Sequence, residues 1–255
     1  MIRIEFWGQL KELVKYDAKK IIKQSKQKIV FDYPITRRAS IKDIIEALGV
    51  PHTEVGEIKN GQKKIDFKYI VSSKAKISVF PHEIPLNPNN YLFEEPIEEY
   101  KFITDVNVGK LTKYIRLLGF DCAYHWTWDD DKIADIAYSE KRILLTKDVQ
   151  LLKRKKVLWG KLVKSSNPIE QLQEIVTFFG LKIAKDTNKI LSRCLICNEK
   201  LLEVSKQEVI HRLAPKTKKY FNKFSLCPKC NKIYWAGSHV DKMKNILNSL
   251  KIFIK

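Results

Sequence analysis

Four of the five cysteines stand as two C-x-x-C pairs, Cys194 with Cys197 and Cys227 with Cys230. A thiolate pair at this spacing is the knuckle of structural zinc sites, and two knuckles supply four sulfur ligands. A tetrahedral Zn²⁺ closed by four cysteines keeps no open position, so it is structural and performs no chemistry. The 29 residues between the pairs exceed the usual range. A strand pair at 201–204 and 209–213 is expected to fill them. The rival reading, two disulfides, is opposed by the reducing compartment expected below.

A second chemistry rests on oxygen. Asp105 follows the apolar run 102–104, Asp130 sits among three acids (129–131) opening a helix, and Asp148 follows Ile143-Leu144-Leu145-Thr146. In an open parallel sheet ligands bind at the carboxyl ends of the strands, so two of these carboxylates are expected to face one crevice. Like charges held close raise one another's pKa unless a cation joins them, and hard oxygen ligands suit Mg²⁺ or Mn²⁺. Each of the three helix-opening acids serves equally well as a cap, because Asp there accepts bonds from free backbone N–H groups.

Cations flank both chemistries. Lys153, Arg154, Lys155 and Lys156 follow Asp148 within one or two helical turns. Such a run is either a solvated face or a clamp for the phosphates beside a scissile bond. Between the knuckles, Lys216, Lys218, Lys219 and Lys223 interleave with Tyr220, Phe221 and Phe224. Cations for phosphates and aromatic faces for bases fit single-stranded nucleic acid, although the aromatics equally suit a small core. The net charge is +19, and residues 191–255 alone hold 14 basic against 4 acidic side chains. A concentrated positive field points to a polyanion, for a soluble basic domain most commonly nucleic acid, the alternative being lysines that form a solvated face.

The elements that position these residues follow from periodicity. At 255 residues two or three units are expected. Ile2, Ile4 and Phe6 alternate with Arg3, Glu5 and Trp7, a strand pattern. A helix-like segment at 9–16, a strand at 28–33, a Ser40-capped helix ended by Gly49, an Asn60-Gly61 turn and a last strand at 76–81 follow. That order reads as a β-grasp domain over 1–82. Residues 83–100, rich in proline and glutamate, read as a linker. Over 101–190, strands alternate with helices: Val108, Leu111, Ile115 and Leu118 form a stripe closed by Gly119, and strands are expected at 120–126 and 161–164. Asn167-Pro168 opens a helix that Gly180 closes. Cys122, alone in a strand, reads as buried core. Residues 191–255 complete the chain with the cysteine knuckles and a closing helix at 240–254. The amino-terminal stretch MIRIEFWGQL lacks the apolar core of a signal peptide. No run approaches the ~20 apolar residues of a membrane span, so a cytoplasmic protein with no membrane partner is expected.

Two resemblances are carried by the residues. RIEFWGQLKELV, LGVPHTEVGEIKNGQ and ISVFP resemble the ubiquitin-like sulfur-carrier group. Those carriers work through a free Gly-Gly end, which is absent where the strand runs on into PHEIPLNPNN, so the module reads as a docking domain for a protein partner. FITDVNVGKLTKYIRLLGFD, WDDDKIADIAYSEKRILLTKD and NPIEQLQEIVTFFGL resemble the PIN-type ribonuclease family named for the C-terminal region of the Mut-seven exonuclease. That resemblance implies a multidomain α/β and α+β chain: a ubiquitin-like β-grasp domain, a PIN-like parallel α/β domain and a zinc ribbon. It implies that Asp105, Asp130 and Asp148 form the acidic Mg²⁺ or Mn²⁺ site, with Asp131 as the alternative to Asp130. It also places Arg116 and Arg154 near the RNA path. IYWAGSH matches the family pattern and sets His239 near the ribbon. A fourth acid is missing between Asp148 and Glu170. The expected function is therefore a metal-dependent ribonuclease; the alternatives are a non-catalytic RNA- or ribosome-binding adaptor, and a phosphoacceptor receiver, disfavoured because Asp105 stands without a paired acid.

Overall fold

A computed structural model of the chain describes residues 1–15, 21–184, 189–237 and 253–254. His239 and residues 240–252 of the expected closing helix lie outside the described residues. The chain divides into two compact units, Met1–Ile103 with Thr127–Val163, and Thr104–Trp126 with Lys164–Lys255.

The first unit begins with a six-stranded sheet. Its strands are β1 (Ile2–Trp7), β2 (Ile21–Gln24), β3 (Lys28–Tyr33), β4 (Val55–Asn60), β5 (Lys63–Lys64) and β6 (Lys76–Pro81), in the order β2-β3-β1-β6-β4-β5. β1 runs parallel to β6 and antiparallel to β3, with Ile4 opposite Ile77 and Phe31. The alternation of β1 sends Ile2, Ile4 and Phe6 inward. They meet Ile41, Ile44 and Ile45 of α1 (Ile41–Ala47) in one core. α1 opens on a capping box: the Ser40 hydroxyl accepts from Asp43 N and the Asp43 carboxylate accepts from Ser40 N, both at 3.2 Å. Gly49 follows at φ +104°, where a Cβ would lie 2.6 Å from the Leu13 carbonyl oxygen. The segment expected as a helix at 9–16 is a single 3₁₀ turn, Gly8–Glu12. Together these elements form the ubiquitin-like sheet-and-helix module.

The proline-rich segment 83–100 is packed rather than free. Leu86, Leu92 and Ile97 are buried, the Tyr91 hydroxyl accepts from Ile58 N, and the Asn90 amide donates to Gly56 O. The same unit contains β7 (Phe102–Thr104) as far as Ile103, then α3 (Asp130–Ser139), β9 (Ile143–Thr146), α4 (Val149–Leu152) and β10 (Gly160–Leu162). β9 and β10 pair in parallel, Leu144 opposite Gly160 and Thr146 opposite Leu162. Both are buried at every residue, as strands of a parallel sheet covered on both faces are, with Lys161 the one charged side chain among them.

A buried seam ties this parallel portion to the β-grasp sheet. Glu54 and Lys161 are 1% and 3% exposed and meet at 2.7 Å, while the other Glu54 oxygen accepts from Leu162 N at 2.7 Å. His52 Nε2 donates to Val157 O, Lys153 Nζ to Glu46 O, and the Trp159 indole to Glu95 O.

The second unit holds α2 (Gly109–Leu117), β8 (Cys122–Ala123), α5 (Pro168–Phe179) and β11 (Ile183–Ala184), which pairs in parallel with β15 (Phe253–Ile254). α5 is capped by Asn167 and ended by Gly180 at φ +62°. β8 is shorter than the strand expected at 120–126. The ribbon follows as an antiparallel sheet of β12 (Leu202–Val204), β13 (Phe224–Leu226) and β14 (Ile233–Tyr234). The strand expected at 209–213 is helical instead: α6 (Lys206–Val209) runs into the 3₁₀ turn Ile210–Arg212. The reason is a capping box at Ser205, whose hydroxyl accepts from Glu208 N while the Glu208 carboxylate accepts from Ser205 N. α7 (Pro215–Tyr220) follows.

Candidate metal centres and the acidic residues

The two knuckles bring their cysteines together. One sulfur from each of Cys194, Cys197, Cys227 and Cys230 lies within 4.8 Å of all the others. Cys194 Sγ stands 3.5 Å from Cys230 Sγ, and Cys197 Sγ 3.3 Å from Cys227 Sγ. Four sulfurs bonded at ~2.3 Å to a tetrahedral ion stand ~3.8 Å apart, so the cluster could hold Zn²⁺ with little adjustment. The knuckle turns aim amides inward, Cys197 N at Cys194 Sγ and Cys230 N at Cys227 Sγ. The Tyr234 hydroxyl, accepting from Leu195 N, lies 3.2 Å from Cys194 Sγ.

Burial opposes ionisation of Cys194, yet bonds from Tyr234 and the knuckle amides outweigh it and bring its thiol down to about 6. Burial, together with the neighbouring sulfurs, pushes Cys197 up to about 12. One thiolate among crowded thiols suppresses the next, and a dication removes that conflict.

The first knuckle is clamped to α2 and β8. Arg116, 3% exposed, donates through Nε to Cys122 O at 2.9 Å, and through its terminal nitrogen to Leu195 O and Ile196 O at 3.1 and 2.6 Å. Asn198 accepts from Cys122 N and donates to Asp121, which also pairs with Arg193. Arg116, expected beside the RNA, is thus buried with its guanidinium on backbone carbonyls, because the knuckle turn leaves those oxygens without helix or sheet partners. Cys122 is fully buried, as expected of a core cysteine.

The acids are placed as follows. Asp105, 4% exposed, ends β7 in the second unit and accepts from the Asn107 amide at 2.8 Å. In the first unit Asp148 caps α4, its Oδ1 accepting from Gln150 N and Leu151 N at 2.6 and 3.3 Å. Its own amide donates to the hydroxyl of Thr146, the last residue of β9. The cap of α3 is Asp129, which accepts from Lys132 N at 2.8 Å. Asp130 and Asp131 therefore stand free of capping, and both meet Arg154: Asp130 at 3.5 Å, Asp131 by a direct hydrogen bond. Among the described residues, the four cysteines are the one group of three or more His, Cys, Asp or Glu whose ligand atoms are gathered within 4.8 Å.

The expected cations divide in the same way. Arg154 is held by the α3 acids, Lys156 bonds Asp135, and Lys153 donates to Glu46 O. Lys155 is exposed. On the ribbon, Lys219 and Tyr220 are exposed and Lys218 is half-buried. Phe224 is buried in the ribbon core with Phe221 packed against it. The aromatic series thus splits, Phe224 and Phe221 to packing and Tyr220 to the surface. The sequence reading passed over Glu54, Lys161, His52 and His82, all buried; nothing in their local patterns marks them.

Comparison with known families gives two matches: the family described as Mut7-C RNAse domain matches residues 100–247, and that described as Mut7-C ubiquitin matches residues 1–87. No curated protein and no solved structure matches the chain.

Proposed function

The chain belongs to the Mut7-C RNase family and carries the family's ubiquitin-like domain; from that premise we propose that it is a metal-dependent ribonuclease that hydrolyses RNA phosphodiester bonds. The observation that carries the reading is the family match across residues 100–247, a span that contains Asp105, Asp130 and Asp148. Their carboxylate oxygens are of the type Mg²⁺ or Mn²⁺ takes, and they, with Asp131, are the residues that would hold the ion. Bound there, the ion would supply an activated water and neutralise charge on the phosphate under attack.

The chain's own residues have definite tasks in this reading. Asp148 is held in one rotamer by two α4 amides, which orients a carboxylate before any ion arrives. Asp105 is similarly oriented by Asn107. Lys155, Lys218 and Lys219 bind the RNA backbone through charge, so affinity falls steeply with salt. The cysteine centre holds a structural Zn²⁺. Cleavage of labelled RNA with Mg²⁺ or Mn²⁺ by wild type, Asp105→Asn and Asp148→Asn is the test. Loss of cleavage in both variants is expected, and cleavage unaffected by both changes overturns the site.

A second reading is a non-catalytic RNA- or ribosome-binding adaptor. It is favoured by the pairing of Asp130 and Asp131 with Arg154, since a guanidinium there supplies the positive charge that an ion otherwise would. RNA binding without metal-stimulated cleavage in the wild type decides for it.

A further inference from the structure

The first unit contains a cleft of about 1010 Å³ that neither the acids nor the cysteine centre accounts for. One wall is the β-grasp module, through α1 and the turn carrying Phe67 and Lys68; the other is Tyr138 at the end of α3 together with the residues that follow α4. Each wall contributes cations, Lys42 and Lys68 from the first, Lys155 and Lys156 from the second. The second also contributes an exposed aromatic ring, Tyr138, whereas Phe67 on the first is half-buried and packs against the β-grasp core. The Lys42 ammonium stands 5.9 Å from the Phe67 ring centre, and Tyr138 is 54% exposed, too open to be serving a core.

Carboxylates share this lining, but three of them already have partners. Asp43 closes the capping box with Ser40, Glu46 lies 2.6 Å from His52 Nδ1, and Asp66 accepts from Lys68 N at 2.9 Å. Glu94 is exposed in the same lining and Lys156 is taken by Asp135, so the cations left to meet a ligand are Lys42, Lys68 and Lys155.

We propose that this cleft is a groove for single-stranded RNA and that the β-grasp domain forms one of its walls. Cations spaced along both sides follow a phosphate backbone, and an exposed ring stacks on unpaired bases whatever their identity. A duplex would present its bases edge-on and leave the ring without a partner. The groove also points at the chemistry: α4 alone, a single helical turn, separates Asp148 from the cations that follow it, a rise of about 6 Å. The proposal rests on the ribonuclease reading only for the identity of the ligand.

The test is fluorescence anisotropy of a short fluorescein-labelled single-stranded RNA with the full chain, without added Mg²⁺ or Mn²⁺. Tyr138→Ala is expected to weaken binding about tenfold. The double change Lys68→Ala/Lys155→Ala is expected to flatten the dependence of log affinity on log salt by about 1.4. All three side chains are exposed, so folding is preserved. Lys63→Ala, on exposed β5 outside the groove, leaves the slope as in wild type. Groove variants that keep wild-type affinity and slope overturn the proposal, whether RNA binds elsewhere or the cleft receives a peptide. Groove-dependent binding by a wild type that never cleaves RNA with Mg²⁺ or Mn²⁺ supports the groove while rejecting the nuclease; cleavage undiminished in the groove variants does the reverse.

Discussion

At the scale of single residues, Asp148 combines two roles that substitution can separate. Its side chain caps α4, and Asn caps as well as Asp whereas Ala does not. Asp148→Asn is therefore expected to retain the wild-type melting temperature while losing more than about tenfold in metal-stimulated cleavage, given that even outer-shell partners of a metal contribute this much. Asp148→Ala is expected to lose the same activity and about 1 kcal/mol of stability as well. His82 makes a different prediction. It is buried, and burial, against a bond to Thr53 O, takes its pKa from 6.5 down to about 4. The unfolded chain then binds more protons than the folded one between those values, so stability is full above pH 6.5 and falls as pH drops toward 4. The loss is up to about 3 kcal/mol. Urea titrations at pH 7 and pH 4.5 should show that difference in the wild type, and His82→Gln should reduce it.

At the scale of elements, the ribbon and α2 behave as one piece because Arg116 joins them. Its guanidinium reaches the carbonyls of Leu195 and Ile196 inside the first knuckle, and a knuckle keeps its shape only while its sulfurs converge. Removing Zn²⁺ with a chelator is therefore expected to loosen more than β12, β13 and β14. The amides of Gly109–Leu117 should exchange hydrogen faster in the chelated protein than in the zinc-loaded one. A ribbon that melts while α2 keeps its protection would show that the clamp does not transmit. Gly119 reinforces the same region. It sits at φ +87°, and a Cβ there would stand 2.3 Å from Lys189 O, so no other residue fits without moving the chain that leads into the ribbon.

At the scale of the whole molecule, the buried pair of Glu54 and Lys161 makes the amino-terminal module part of the fold around β10. Breaking one side of a buried pair leaves the other charge without compensation, which costs about 3–5 kcal/mol, whereas replacing both by apolar groups is often neutral. Glu54→Ala is accordingly expected to destabilise the full chain by that amount in urea denaturation. The double change Glu54→Leu/Lys161→Met is expected to recover most of it. Equal losses in the two variants would mean that the seam depends on the charges themselves. Removal of residues 1–87 should expose the same lysine and leave β10 without this partner. A docking role for the β-grasp module toward another protein is compatible with the seam, which uses the 3₁₀ turn His52–Glu54 and leaves β2 at the far edge of the sheet.

Features written in short-range pattern were legible from the residues alone. The C-x-x-C knuckles, the Ser40 cap of α1, the Asn167-Pro168 start of α5 and the period-two strand β1 each depend on neighbours a few positions apart, and each stands as expected. The Ser205-x-x-Glu208 box belongs to the same class and marks a helix start where a strand at 209–213 is expected from the spacing of the knuckles. What only the tertiary structure decided are pairings whose members lie far apart along the chain. Glu54 with Lys161, separated by 107 positions, Arg116 with the knuckle carbonyls and Arg154 with the α3 acids are of this kind. Local propensity reports on backbone conformation, but a long side chain's partner is set by desolvation: once burial has removed water, the nearest complementary group satisfies the charge, and its identity is known only when the strands have been brought together.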